Sequence, residues 1–308
     1  MDKQRINDVL SESYNIGKSV IPEGEVASYI PELAKANKSD LGIALLNRKL
    51  ELYSIGDCET RFTIQSISKV VSLCVALEEY GFERVFSNVG MEPSGEAFNS
   101  IVELDLQSNK PFNPMINSGA IAIENMLLKK CSFEELTSIT KKLCADKDIS
   151  LNNDVYLSEM GTASRNRAIA YLLESKDIVR GDVEETIELY TKMCSLNVTA
   201  KSLANLGLTL ALGGVNPYTG ERLLRAETVK VVKTIMLTCG MYDGSGQFAV
   251  EVGLPTKSGV GGGLLSVVDK EMGIGIYGPS LDEKGNCVAG KAALKNISSE
   301  LGLHLFYS

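Results

Sequence analysis

Ser66 and Lys69 lie three positions apart in the run Phe62-Thr63-Ile64-Gln65-Ser66-Ile67-Ser68-Lys69. On a helix that spacing puts both side chains on one face, within reach of each other. A serine becomes a nucleophile when a neighbouring base takes its proton. A lysine can be that base only when neutral, which burial or a second cation nearby favours. A helix start adds unpaired N–H groups and the positive dipole end, which favour an alkoxide or oxyanion. The residues that follow, Ile67, Val70, Val71, Leu73, Cys74, Val75 and Leu77, are apolar on nearly all sides, so a buried central helix is predicted over 66–79. The spacing alone is a weak signal. Ser138-Ile139-Thr140-Lys141 repeats it in a polar helical stretch, and a capping serine followed by a solvated lysine is the ordinary alternative.

A second element strengthens it. Lys257-Ser258-Gly259 precedes Val260-Gly261-Gly262-Gly263 at the entry to a strand. S-x-x-K with K-T-G marks the serine β-lactamases and penicillin-binding proteins. Here Ser258 replaces the threonine and keeps its hydroxyl, Lys257 supplies a second cation, and Gly259 lets a substrate approach the strand edge. A phosphate loop fits poorly, because the lysine precedes the glycines and G-x-x-x-x-G-K-[ST] is absent.

Other chemistries are narrowed by composition. The only histidine among 308 residues is His304, near the C-terminal end, so a site with several His ligands is excluded and a Ser-His-Asp triad would need a residue from the tail. Seven cysteines, an odd number with no C-x-x-C pair, read as reduced and mostly buried thiols. No metal or organic cofactor is expected. A formal charge of −8 argues against nucleic acid or an anionic membrane as partner. No apolar run reaches the roughly 18 residues of a transmembrane helix, and residues 1–22 have no signal-peptide pattern. The expected location is the cytoplasm.

The elements that must position Ser66 and Lys257 follow from periodicity. Helical spacing is predicted over 3–20 and again over 25–36. Residues 41–46 and 50–55 flank Asn47-Arg48-Lys49 as a hairpin. Residues 81–220 read as helices broken at Pro93, Pro111 and Pro114, without convincing strand alternation. A second hairpin joins 263–268 to 272–277, and a last helix covers about 286–302. The expected fold class is therefore α+β. Residues 1–80 and 221–308 supply an antiparallel sheet flanked by helices, 81–220 form an inserted helical part, and one catalytic site lies between them. That order matches the β-lactamase/transpeptidase-like arrangement of a nucleophile on a central helix beside a K-T-G strand.

Across essentially all 308 residues the chain resembles the bacterial serine-dependent glutaminases. The matching runs are Val26-Ala27-Ser28-Tyr29-Ile30-Pro31-Glu32-Leu33-Ala34, the segment 61–69 around Gln65-Ser66-Ile67-Ser68-Lys69, and Asn113-Pro114-Met115-Ile116-Asn117-Ser118-Gly119-Ala120. Ser158-Glu159, Arg165-Asn166, Tyr190, Gly240-Met241-Tyr242 and the segment 253–263 complete them. The resemblance implies hydrolysis of L-glutamine with Ser66 as nucleophile and Lys69 as its base. Tyr242, and Tyr190 as an alternative, would assist proton transfer, with Lys257 and Ser258 alongside. The amides of Ser66 and Val260 would form an oxyanion hole. Tyr29, Asn117, Glu159, Asn166 and Tyr190 would hold the amino-acid end of the substrate. It also implies a homodimer or homotetramer. Two rivals are a β-lactamase or esterase of the same fold, and a non-catalytic amino-acid sensor.

Overall fold

A computed structural model describes residues 2–94 and 110–307; the stretch 95–109 of the predicted helical region lies outside the described residues. The chain opens with α1 (Lys3–Val20), β1 (Gly42–Asn47), β2 (Leu52–Gly56), β3 (Phe62–Thr63) and α2 (Ser68–Asn88). It continues with α3 (Asn117–Leu127), α4 (Phe133–Leu143), α5 (Asn153–Thr162), α6 (Ser164–Ser175), α7 (Val183–Cys194), β4 (Asn197–Val198) and α8 (Ala200–Ala211). It closes with α9 (Ala226–Cys239), α10 (Ser245–Glu251), β5 (Thr256–Gly259), β6 (Gly263–Val268), β7 (Met272–Tyr277) and α11 (Val288–Leu301). Both predicted hairpins are present.

The five main strands run antiparallel in the order β2-β1-β7-β6-β5, so the N-terminal hairpin joins the C-terminal strands where β1 pairs with β7, from Gly42↔Tyr277 to Asn47↔Met272. Alternation along the strands sorts side chains onto two faces. Ile43, Leu45, Leu264, Ile274 and Ile276 pack with Ile6 and Leu10 of α1 and Leu294 and Ile297 of α11. Ala44, Leu46, Leu265 and Val267 pack with Val70 and Leu73 of α2, Leu203 of α8 and Ile235 of α9. On that second face α8 lies directly on β7. A Cβ on Gly275 would sit 1.9 Å from the Ala200 carbonyl, and one on Gly273 2.0 Å from that of Ala204. Glycine is needed at both because backbone meets backbone there.

Three expectations are corrected. No α-helix covers 25–36. Instead 3₁₀ turns occupy Ile21–Glu23 and Leu33–Lys35, and Glu25 makes an antiparallel bridge to Leu281. Pro31 lacks the N–H that a helix interior needs and keeps Ile30 from the helical region. The region 81–220 does hold a strand, since Asn197–Val198 pair with Phe62–Thr63. Two residues are too few to show alternation. The helix predicted over 66–79 also runs further: it reaches Asn88 through a kink at Gly81, which has φ 74°.

α3 is buried along its whole length although it carries Asn117, Ser118, Glu124 and Asn125. Asn125 Nδ2 donates to the Arg180 carbonyl and to Thr186 Oγ1, at 3.1 and 2.9 Å. Glu124 Oε1 accepts from Ser72 Oγ of α2 at 2.5 Å, while its Oε2 has no partner among the described residues. Burial raises this carboxyl to about 7 against an ordinary 4.5, with the Ser72 bond pulling the other way. A carboxyl raised in the folded state keeps its proton where the unfolded chain has lost it. Its stability is thus complete below pH 4.5 and is lost as pH rises to about 7. The span corresponds to about 3 kcal/mol. Glu124→Gln should remove that slope. Urea unfolding of both proteins should show the variant gaining about 3 kcal/mol on the wild type between pH 4.5 and 7. Parallel curves would place the titration elsewhere.

Candidate active site

Ser66 sits in a 3₁₀ turn, Gln65–Ile67, that runs straight into α2. The preceding residue, Gln65, has φ 48°, a left-handed conformation that costs a side-chain-bearing residue energy and marks a constrained turn. The turn is fixed from both sides: Ile64 N donates to the Leu196 carbonyl at 2.8 Å, and a Cβ on Gly259 would lie 2.8 Å from the Ile64 carbonyl. β5 is thus pressed against the turn that carries Ser66. The exposed Ser138 of the duplicate spacing has no such setting.

Lys69 is 1 % exposed. Its Nζ donates to Asn117 Oδ1 at 2.7 Å and to the Met115 carbonyl at 3.3 Å. Desolvation lowers it to about 8, opposed by Cys194 and Glu159. Lys257 is fully buried on β5 and donates to the carbonyls of Gly240 and Ser258, at 3.2 and 2.6 Å. Burial first, and then the charge of Lys69, push it well below the usual lysine range. Its Nζ stands 4.4 Å from the ring centroid of Tyr242, a cation–π distance. Burial raises the Tyr242 phenol, while the neighbouring Ser66 and Ser258 side chains pull the other way. Ser66, Lys69, Tyr242, Lys257 and Ser258 therefore converge.

In front of them lies a cavity of about 260 Å³. Tyr29, Ser66, Asn117, Glu159, Asn166, Tyr190 and Val260 all line it, with Gln65, Ile30, Thr162, Ala163 and Arg165. Asn117 Nδ2 donates to Asn166 Oδ1 at 3.0 Å, so one amide links the lysine to α6. Glu159 is 7 % exposed, and burial raises it to about 7 although Gln65 Nε2 donates to it at 3.4 Å. Tyr29 is 55 % exposed as a residue. Its phenol is nonetheless raised well above the usual value, by desolvation and then by Tyr242 and Glu159, because the hydroxyl end faces inward. Among the described residues, the amide N–H groups of Ser66 and Val260 enter no hydrogen bond of the fold. Gln65 was not singled out from sequence as a site residue, although it stands in the Gln-Ser-Ile-Ser-Lys run.

Size does not select this cavity. One of about 730 Å³ beside α8 and α9 is larger, but Lys233 and Asp269 on its wall pair with each other and it holds none of the converging groups. His304 packs against Gly253, away from the cavity. Among the described residues no group of three or more His, Cys, Asp or Glu is placed to hold a metal ion, and no helix is long and apolar enough to cross a membrane.

The antiparallel sheet packed on a central helix is the β-lactamase-like fold. The Glutaminase family matches residues 24–306. Glutaminase 2 of Clostridium perfringens is 50 % identical over 293 residues, 94 % of this chain and 96 % of that protein. The solved structure of the probable glutaminase ybaS superposes with a TM-score of 0.94 at 38 % identity, covering all of both chains. The covalent complex of the Bacillus subtilis glutaminase YbgJ with 5-oxo-L-norleucine, formed by reaction with 6-diazo-5-oxo-L-norleucine, superposes at 0.87 with 37 % identity, covering 98 % and 99 %. The chain belongs to the glutaminase family, the enzymes that hydrolyse glutamine.

The segment after α9 brings Tyr242 to the site through Gly240. A Cβ there would lie 1.7 Å from the Thr256 carbonyl, and the Gly240 carbonyl accepts from both Ser258 N and Lys257 Nζ. Gly240→Ala must therefore part this segment from β5. The expected result is a loss of at least about 2 kcal/mol of stability together with a lower kcat on glutamine. Chemical denaturation and steady-state kinetics test both, and an unchanged kcat would contradict the shared anchoring of Lys257 and Tyr242.

Proposed function

We propose that glutamine hydrolysis here proceeds through a γ-glutamyl ester on Ser66, with neutral Lys69 as the base. The observation that carries the reading is the setting of Lys69. A neutral amine has two N–H groups and one lone pair. Asn117 Oδ1 and the Met115 carbonyl accept the two N–H groups, which leaves the lone pair for the Ser66 proton. Attack on the side-chain amide carbon places the oxyanion on the Ser66 and Val260 amides. Such donors are worth about 3–4 kcal/mol each in other enzymes. Ammonia leaves once the Lys69/Tyr242 pair has protonated it, and water then cleaves the ester. The covalent adduct of the Bacillus subtilis glutaminase with a diazo-ketone of the glutamine skeleton supports a nucleophilic route. We take residues 1–80 and 221–308 with the helical 81–220 as one catalytic unit, the site lying between them.

Ser66→Ala should abolish turnover without unfolding the protein, and 6-diazo-5-oxo-L-norleucine should label Ser66 in the wild type. Labelling elsewhere, or near-normal turnover in the variant, defeats the mechanism. Lys69→Arg keeps a charge that cannot be removed and should be nearly as inactive as Lys69→Ala. Because Lys69 is lowered to about 8 and acts deprotonated, kcat/KM should climb about tenfold per pH unit from pH 7 towards pH 8 and then flatten, with a steeper rise below pH 7 where Glu159 also ionises. The apparent value belongs to the coupled group and not to one residue. A profile flat from pH 6 to 9 removes Lys69 as the base.

Glu159 is the acidic side chain lining the pocket, and we assign it to the α-ammonium of glutamine. Stripping water from that ammonium requires a fixed partner. Glu159→Gln should cost roughly 1.5–3 kcal/mol, or about ten- to a hundredfold in kcat/KM for glutamine. The loss should be small for an analogue lacking the α-amino group. Equal losses on both substrates would withdraw the assignment.

A further inference from the structure

Tyr242 holds its place against its own backbone. Its φ is 54°, left-handed for a bulky residue, so the surrounding structure must impose it. Three hydrogen bonds do so. Met241 N donates to Ser245 Oγ at 3.0 Å, and the same hydroxyl donates to the Tyr242 carbonyl at 2.7 Å. Asn286 Nδ2 donates to the Met241 carbonyl at 3.3 Å, from a residue that is 1 % exposed. The peptide units on both sides of Tyr242 are thus tied to side chains.

Asn286 ends a turn that is itself rigid. Asp282 Oδ1 accepts from Lys284 N and Asn286 N, Gly285 N donates to the Asp282 carbonyl, and Lys291 bonds Asp282 Oδ2 at 2.5 Å. The turn also approaches the site. A Cβ on Gly285, whose φ is 87°, would lie 3.6 Å from Tyr242 Cε2 and 3.3 Å from Val260 Cγ1. The Tyr242 ring is bounded by the Lys257 Nζ and by this turn.

We infer that Asn286 is a positioning residue for the reaction: with Ser245 it holds the two peptide units flanking Tyr242, so that the phenol faces Ser66. The inference rests on the reading above that Tyr242 moves a proton. A purely structural Asn286 would only set the entry to α11.

The full-length variants Asn286→Ala, Ser245→Ala and Tyr242→Phe, and each of the first two combined with Tyr242→Phe, separate these roles. Steady-state glutamine hydrolysis and thermal melting are measured for all five. Asn286→Ala and Ser245→Ala should each lower kcat about tenfold while KM moves less than about twofold. In the Tyr242→Phe background the same substitutions should lower the residual kcat by less than about twofold, because their effect runs through the missing hydroxyl. Should Asn286→Ala fail to fold, Ser245→Ala, which removes one oxygen, carries the same comparison. Equal proportional losses in both backgrounds overturn the inference. Wild-type rates in Asn286→Ala and Ser245→Ala with a slow Tyr242→Phe overturn it while leaving the role of Tyr242 intact. A fully active Tyr242→Phe removes the reading of Tyr242 and the inference together.

Discussion

Two lysines are buried with no carboxylate in ion-pair contact among the described residues, and the arrangement around the site follows from that. An ammonium taken out of water without a counter-ion is costly enough that it tends to lose its proton. Lys69 and Lys257 form no ion pair among the described residues. Carbonyl oxygens accept from them instead: Met115 and Asn117 for one, Gly240 and Ser258 for the other. A carbonyl satisfies an N–H without demanding a positive charge, whereas a carboxylate would hold the proton in place. β5 lies at the sheet edge, where this arrangement is possible. A central strand has both backbone edges paired by neighbouring strands. β5 has one edge left, and there Gly240 meets Ser258 N and Lys257.

The helical part supplies the other half of that shell. α3 starts at Asn117, which receives the Lys69 proton donor and passes its own amide to Asn166. Further along, Glu124 reaches Ser72 one turn beyond Lys69 on α2, and Asn125 ties the same helix to α7 and to the loop before it. A helix buried on all sides can carry such polar groups only where each finds a partner. Every partner found also fixes how α3 sits on α2. The orphaned Glu124 Oε2 is the exception, and its cost is relieved by protonation, which is why that carboxyl is raised.

The cluster of candidate residues around Ser66 was legible in the sequence because its members sit in runs whose spacing has a physical meaning. Ser66 and Lys69 share a helical face, and Lys257-Ser258-Gly259 heads a strand. The sheet was legible for the same reason: Ile43, Leu45, Ile274 and Ile276 alternate. Residues 25–36 misled because Val26, Ile30 and Leu33 carry helical spacing. That spacing is overridden by Pro31 and by the bridge from Glu25 to Leu281, and Tyr29 reaches the cavity from an irregular segment. β3 and β4, at two residues each, contain no period to read. Gln65, Ser245 and Asn286 were passed over because their work depends on a backbone conformation or a contact far along the chain. Neither leaves a mark in composition or periodicity.

One consequence concerns the two ionisable groups that share the desolvated pocket. Lys69 must be neutral to accept a proton, yet the field of Glu159 acts to keep it charged. Glu159, in turn, is lifted to about 7 by burial, so in the empty pocket it is only partly ionised near neutrality. Under the assignment proposed above, the substrate ammonium pairs with Glu159 and offsets its field at Lys69. Entry of the same substrate displaces water and deepens the desolvation that already dominates the lysine shift. Under that assignment both effects act to lower Lys69 further, against the pull of the substrate α-carboxylate, as the pocket fills. An uncharged amide of the same size would bring the desolvation without the compensating charge. Under the same proposal, glutamine is favoured over simple amides in the proton-transfer step as well as in binding.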